Sequence, residues 1–223
     1  MQIRTNKKII LYLFVLLLLG SPINKNFFEI DIDKFNKFEI SSLSEFNDKD
    51  IINDLSNYKY QSLFLLKNEQ IIEIIQKYKI IEDYEFYKHY PSKLIVNLKK
   101  TKFLAITKIN GVNFYVGSNG NLIKTKDNIE DLPIIFGKIN VLEFLKLKNL
   151  IDNSNFDFSD VKNLYFFKSK RWDIETKDGL LLKLPQKNLT ESFQLFINII
   201  NDQYLDEINV IDLRQNNLLI LNG

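Results

Sequence analysis

Residues 84–105 read YEFYKHYPSKLIVNLKKTKFLA, from Tyr84 to Ala105. Two strands folded on a turn account for this stretch. Tyr84, Phe86 and Lys88 alternate with Glu85, Tyr87 and His89, the period of two that a half-buried strand shows. The ladder breaks at Tyr90-Pro91-Ser92, because Pro91 has no N–H to donate and biases Tyr90 away from helix. Leu94, Val96 and Leu98 then alternate with Lys93, Ile95, Asn97 and Lys99, so a second strand follows. Just upstream, residues 68–78 place Ile71, Ile72, Ile74, Ile75 and Tyr78 at helical spacing. A helix feeding a hairpin with an aromatic-proline corner predicts an α+β arrangement.

Working outward on the N-terminal side, FNKFEISSL from Phe35 to Leu43 has Phe38 and Ile40 on one alternating face and predicts a short strand. Asn47 can cap a helix that begins at Asp48 and turns Ile51, Ile52 and Leu55 inward. Ser62-Leu63-Phe64-Leu65 is a short apolar link to the next helix. The order strand, helix, helix, strand, strand can bury two helices against one face of a small sheet.

On the C-terminal side the pattern turns to β. Residues 103–109 and 112–116 flank Asn110-Gly111, a two-residue hairpin signal. Gly117-Ser118-Asn119-Gly120 is a second turn, without the frame or the following helix of a phosphate-binding glycine loop. Residues 132–137 (LPIIFG) form a small punctuated unit, and Val141 to Ile151 predicts an amphipathic helix. Residues 161–167 and 171–176 read as paired strands, with a tight turn at Lys177-Asp178-Gly179 leading into Leu180 to Leu184. Thr190 to Gln203 predicts a helix with Phe193, Phe196, Ile197 and Ile200 inward. Strands at 208–213 and 218–221 follow, around Gln215-Asn216-Asn217.

A chain of 223 residues, 45% hydrophobic and 26% charged, holds one domain or two small ones. Thirty Lys and Arg against 28 Asp and Glu leave a net charge of +2, which gives no concentrated basic face and no case for nucleic acid. With no cysteine, disulfides and thiolate metal sites are excluded, while an oxidising compartment is permitted. Arg4, Lys7 and Lys8 precede the apolar run from Ile9 to Gly20, which Pro22 ends. Its length suits a signal-peptide core, yet no small-x-small pair marks a cleavage site. A retained anchor over residues 9–23 is the favoured reading, with the basic tail kept in the cytoplasm and the remainder exported.

Convergent catalytic groups are scarce. His89 is the single histidine and lies in an alternating strand, where a surface role explains it. The carboxylates at Glu82-Asp83, Asp127, Glu130-Asp131 and Asp206-Glu207 cluster in turns with no spacing of a glycosidase pair or a calcium loop. Asn188-Leu189-Thr190 matches a glycosylation sequon but also suits a helix start, and Trp172 reads as core. No catalytic residue, metal site or cofactor is expected. Binding through an exposed strand has more support: Leu218 to Leu221 carries no charge and no proline to discourage pairing at a sheet edge. The alternative is that this strand is paired on both sides within the chain.

These landmarks, in their order, resemble the bacterial cell-division family FtsQ, also called DivIB. Ser62-Leu63-Phe64 resembles its small-Leu-Phe segment, and Lys88 to Val96 its basic-x-aromatic-Pro-x-x-Leu hairpin. Gly117 to Gly120 and Leu132-Pro133 to Gly137 resemble its D-x-x-G turn and L-P-x-x-x-G signature. Arg171-Trp172-Asp173, Asp178-Gly179 and Leu184-Pro185 match its R-W-x-L, D-G and L-P landmarks, and Val210 to Arg214 its V-D-L-R strand. Lys100-Thr101-Lys102-Phe103 departs from the usual E-R-x-P, Ile80 or Ile81 replaces a Trp, and Gly117 stands where Asp is common.

The resemblance implies an α+β protein: a cytoplasmic tail (1–8), a single transmembrane helix (9–23), a connector (24–34), a POTRA domain of β-α-α-β-β order (35–102) and a mixed β domain of antiparallel strands and helices (103–223). It implies a non-enzymatic, single-pass type II protein of the inner membrane, its bulk in the periplasm at the division septum. There it recruits and regulates septal cell-wall synthesis by binding FtsB and FtsL alongside other divisome proteins, with weak self-association. The implied contact residues are Arg214, Gln215, Asn217, Leu218, Leu219, Ile220 and Leu221, with Lys170 and Arg171 beside Trp172 as secondary candidates. Arg214 is expected to pair with a partner carboxylate while the strand backbone sets register. The competing readings are a POTRA-bearing periplasmic chaperone or envelope assembly factor and, third, a secreted hydrolase.

Overall fold

The computed structural model describes residues 7–19, 37–42, 49–58, 62–124, 131–201, 208–215 and 220–222. Two compact units emerge, one formed by residues 1–41, 47–74 and 85–97, the other by 42–46, 75–84 and 98–223. The fold is a mixed α+β one.

The first helix, α1 (Lys7–Leu19), is 13 residues long. At 1.5 Å per residue it spans about 20 Å, short of the roughly 30 Å hydrocarbon core of a bilayer. Among the described residues no helix is long and apolar enough to cross a membrane. The remainder of the expected anchor, residues 20–23, lies outside the described residues.

Five elements follow: β1 (Lys37–Ser42), α2 (Lys49–Ser56), α3 (Asn68–Gln76), β2 (Ile81–His89) and β3 (Lys93–Lys100). The strands form a three-stranded sheet in the order β1-β3-β2. The hairpin follows its sequence pattern: Phe86 and Lys88 are half-buried between exposed Glu85, Tyr87 and His89, and Leu94, Val96 and Leu98 are buried. Ile51, Leu55, Leu63, Leu66 and Ile71 are buried in the first unit with Leu94 and Val96. Ile52 departs from expectation, with 38% of its surface exposed. Residues 51 and 55 are one helical turn apart and share the inward stripe, whereas residue 52 is rotated about 100° from 51. Asn47, the expected cap, lies outside the described residues.

From residue 103 the chain builds β4 (Phe103–Ile109), β5 (Val112–Gly117), β6 (Leu122–Ile123), β7 (Ile134–Phe136), α4 (Val141–Asp152), β8 (Val161–Phe166), β9 (Trp172–Thr176), β10 (Leu181–Lys183), α5 (Leu189–Asn201), β11 (Val210–Asp212) and β12 (Ile220–Asn222). They form a nine-stranded sheet in the order β12-β11-β10-β9-β8-β7-β4-β5-β6. The β4–β5 turn uses Asn110 at φ 50° and Gly111 at φ 80°, the left-handed pair that a two-residue hairpin requires. The β7–β8 and β10–β11 pairs are parallel, and their connections carry α4 and α5. Parallel neighbours cannot be joined by a tight turn, and a crossover helix is the usual link.

Strand alternation divides this sheet into two faces. Ile135, Leu164, Ile174, Leu182 and Ile211 point to one side, where Phe144, Leu147 and Ile151 of α4 and Phe193, Phe196 and Ile197 of α5 complete a buried core. Asn140 caps α4, its side chain accepting from the N–H groups of Leu142 and Glu143. Trp172 belongs to this core, 2% exposed, with its ring 4.5 Å from that of Phe166 and 6.4 Å from that of Phe144. The opposite face carries Phe136, Tyr165, Asp173, Lys183, Asp212 and Ile220 in a single transverse row, each in register with the next.

Candidate partner-binding edge

At one end of the nine-stranded sheet lies β12, which pairs antiparallel with β11. No described strand pairs with its outer side. Ile220 and Leu221 are each 43% exposed. Leu221 stands opposite buried Ile211 on the helix-bearing face, yet the helices do not cover it. The strand therefore presents backbone N–H and C=O groups and two apolar side chains to an incoming segment.

Beside this edge the open face concentrates charge. Asp212 is 8% exposed and accepts from Arg214: from the backbone N–H at 3.0 Å, from Nε at 2.8 and 2.9 Å, and from Nη2 at 2.5 Å. These bonds hold the Asp212 carboxyl below the usual carboxylate range, and they keep the guanidinium still more firmly protonated. Two strands away, Asp173 is 6% exposed, and burial pushes its carboxyl above the usual range against the pull of Arg171, Arg214 and Lys183. Arg171 Nε lies 3.7 Å from Asp173 Oδ1, and both atoms are buried without a hydrogen-bond partner among the described residues. The Arg171 guanidinium stacks over the Phe167 ring at 4.0 Å.

Register brings the two arginines together. Asp173, Lys183 and Asp212 are cross-strand neighbours, and Arg171 and Arg214 lie two residues beyond them toward the same end of the sheet. A spacing of two on a strand keeps the same face, so the arginines occupy one row, two strand spacings or about 10 Å apart. Lys170, at φ 60°, belongs to the turn between β8 and β9, where its N–H donates to the Phe167 carbonyl.

Of the residues expected from sequence, Arg214, Gln215, Ile220 and Leu221 fall at this edge, and Lys170 and Arg171 at the same end of the neighbouring strands. Asn217, Leu218 and Leu219 lie outside the described residues. Sequence reasoning missed Asp173 and Asp212 as partners of the arginines. A signal was present: Arg171-Trp172-Asp173 and Asp212-Leu213-Arg214 are mirror-image triplets whose outer members share a strand face. His89 is exposed in β2, and among the described residues no group of His, Cys, Asp and Glu is placed to hold a metal ion.

Residues 105–214 match the family model of the C-terminal region of cell division protein FtsQ/DivIB, and residues 33–100 match the FtsQ-type POTRA domain. The cell division protein FtsQ of Rickettsia bellii is 25% identical over 172 residues, covering 75% of this chain and 64% of the relative. That of Rickettsia felis is 26% identical over 180 residues with the same coverage. The chain thus spans just under two thirds, 64%, of the length of these relatives. Among solved structures, the major extracytoplasmic domain of the trans isomer of the cell division protein DivIB from Geobacillus stearothermophilus matches with a TM-score of 0.35 at 14% identity, covering 45% of this chain and 92% of that one.

Proposed function

The chain belongs to the FtsQ/DivIB family of cell division proteins, and from that premise we propose that it is a non-catalytic septal subunit that binds FtsB and FtsL by taking a partner strand onto β12. The observation that carries this reading is the terminal position of β12, with no described strand on its outer side. Main-chain hydrogen bonds to such an edge supply affinity, and alternate side chains supply register. Arg171 and Arg214 form the charged end of the site. Arg214 meets a partner carboxylate while held in place by Asp212, and its side chain is still 38% exposed.

We assign residues 35–102 to a POTRA domain and 103–223 to the β domain that carries the edge. Residues 9–23 act as a single anchor in the inner membrane, with the tail at residues 1–8 cytoplasmic and the bulk periplasmic. The apolar side chains of α1 support this, since those from Ile9 to Leu17 are all 43–70% exposed.

The test is calorimetric titration of the chain with a periplasmic FtsB peptide from the same organism. Wild-type binding is expected, with loss in Leu221→Pro and Arg214→Glu while circular dichroism shows both variants folded. Absence of wild-type binding discards the strand-addition reading and leaves family membership in place.

A further inference from the structure

The turn that joins the two short helices to one another ends in an exposed apolar cluster that the strand-addition reading does not use. Leu63 and Leu66 are 0% and 2% exposed and plug the core from one side of the turn. The Leu65 and Leu66 N–H groups both donate to the Ser62 carbonyl, at 3.0 and 3.2 Å, which closes the turn. With its two ends buried, the turn drives Phe64 and Leu65 outward, to 65% and 74% exposure. Phe64 stacks on Tyr90 at the tip of the β2–β3 hairpin, ring centroids 4.3 Å apart and planes 24° from parallel, and Tyr90 itself is 53% exposed. The Lys88 ammonium donates to the Leu66 carbonyl and pins the hairpin to the turn. Two large rings and a leucine are thus held rigidly in water, which is costly unless something covers them.

We propose that this cluster rests on the surface of an anionic bilayer, with Phe64, Leu65 and Tyr90 at the boundary of headgroups and acyl chains. The proposal rests on the membrane-anchored reading above. Two observations favour lipid over a protein groove. First, Lys67 is exposed next to the cluster and Lys88 is half-buried beneath it, the cation-flanked aromatic pattern that suits an anionic interface. Second, residues 20–36 separate α1 from β1, a reach of at most about 60 Å fully extended. A cluster on a unit tethered in this way meets the bilayer repeatedly at no translational cost.

The experiment uses the full chain carrying Phe64→Trp, reconstituted into phosphatidylethanolamine–phosphatidylglycerol vesicles with and without brominated acyl chains. Trp172 is buried and supplies a constant background. Leu142→Trp, at a 71% exposed position on α4, is the control. The new indole of Phe64→Trp is expected to shift to the blue and lose emission in brominated vesicles, and that of Leu142→Trp to do neither. Chains that float with the vesicles while the Phe64→Trp indole stays unquenched overturn the bilayer contact alone. Chains that fail to float overturn both this contact and the anchored reading. An indole unquenched by lipid but shifted by the FtsB–FtsL complex assigns the cluster to a protein and also overturns the proposal.

Discussion

Single residues carry the sharpest constraints. Gly137 has φ +100°, and a Cβ there meets the Phe166 carbonyl oxygen at 2.1 Å, a backbone atom that cannot step aside. Gly137→Ala is therefore expected to lose about 3 kcal/mol, backbone strain and overpacking together, read as a lower urea midpoint at unchanged slope. Gly117 is tight for another reason: its Cβ would lie 2.6 Å from Asn119 Oδ1 and 2.8 Å from Thr101 Oγ1. Those two side chains are already committed, Thr101 to Ser118 and Asn119 to the carbonyls of Lys79 and Ile81. At the edge, Arg214→Ala leaves Asp212 with its fork of donors gone. Given the partial exposure of the arginine, the loss is about 1 kcal/mol, and Asp212→Asn loses a similar amount. In a double-mutant cycle the two losses are expected to add to more than the double variant shows. The folded-state carboxyl of Asp212 is depressed, so its contribution is present above the unfolded pKa and disappears as pH falls through the folded one.

At the scale of elements, the β8–β9 pair shows how a strand face organises polar groups. Glu175 accepts from Tyr165 Oη at 2.6 Å, from Asn163 Nδ2 at 3.0 Å and from Lys162 Nζ at 3.2 Å. Led by the tyrosine hydroxyl, these donors bring its carboxyl from 4.5 down to about 2. A depressed acid favours the fold above its unfolded pKa, so stability is lost as pH falls from about 4.5 to about 2. Tyr165→Phe removes the first of the donors, and carbon-detected NMR titration is expected to show Glu175 moving back toward the ordinary range. Much of this element-level order was legible in sequence. Alternation marked β2 and β3, and helical spacing marked α3, α4 and α5, because each period records which face meets the core, while the Asn110-Gly111 turn marked β4 and β5. Thr101 was not legible: nothing in its place between Lys100 and Lys102 marks it for burial, yet it is 3% exposed and bonded to the β5–β6 turn. Local period reports which way a side chain faces, not what a distant loop brings to cover it.

At the scale of the whole molecule, local pattern says still less. The uncharged run at residues 218–221 points to an exposed strand, but the meeting of the two arginine–carboxylate pairs at one end of the sheet depends on strand order, which no short-range period encodes. Nor does periodicity place β7 between β4 and β8, or β11 parallel beside β10. Those neighbours are joined by long connections and chosen by the shared core. The exposed apolar side chains of α1 set one expectation for the full chain: it fractionates with membranes and resists alkaline carbonate, and deletion of residues 1–19 releases it to the soluble fraction. A chain that is soluble with those residues intact removes the anchor.

From β7 onward, sequence order and spatial order coincide, each strand lying beside the one before it out to β12. A sheet laid down in that way can grow by accretion as the polypeptide emerges, every arriving segment finding a finished template. The exposed side of β12 is then the growth front of the sheet among the described strands. Under the proposed strand addition, a segment delivered by another protein differs for that front from the next piece of nascent chain only in the ribosome that made it, and recognition becomes a continuation of folding.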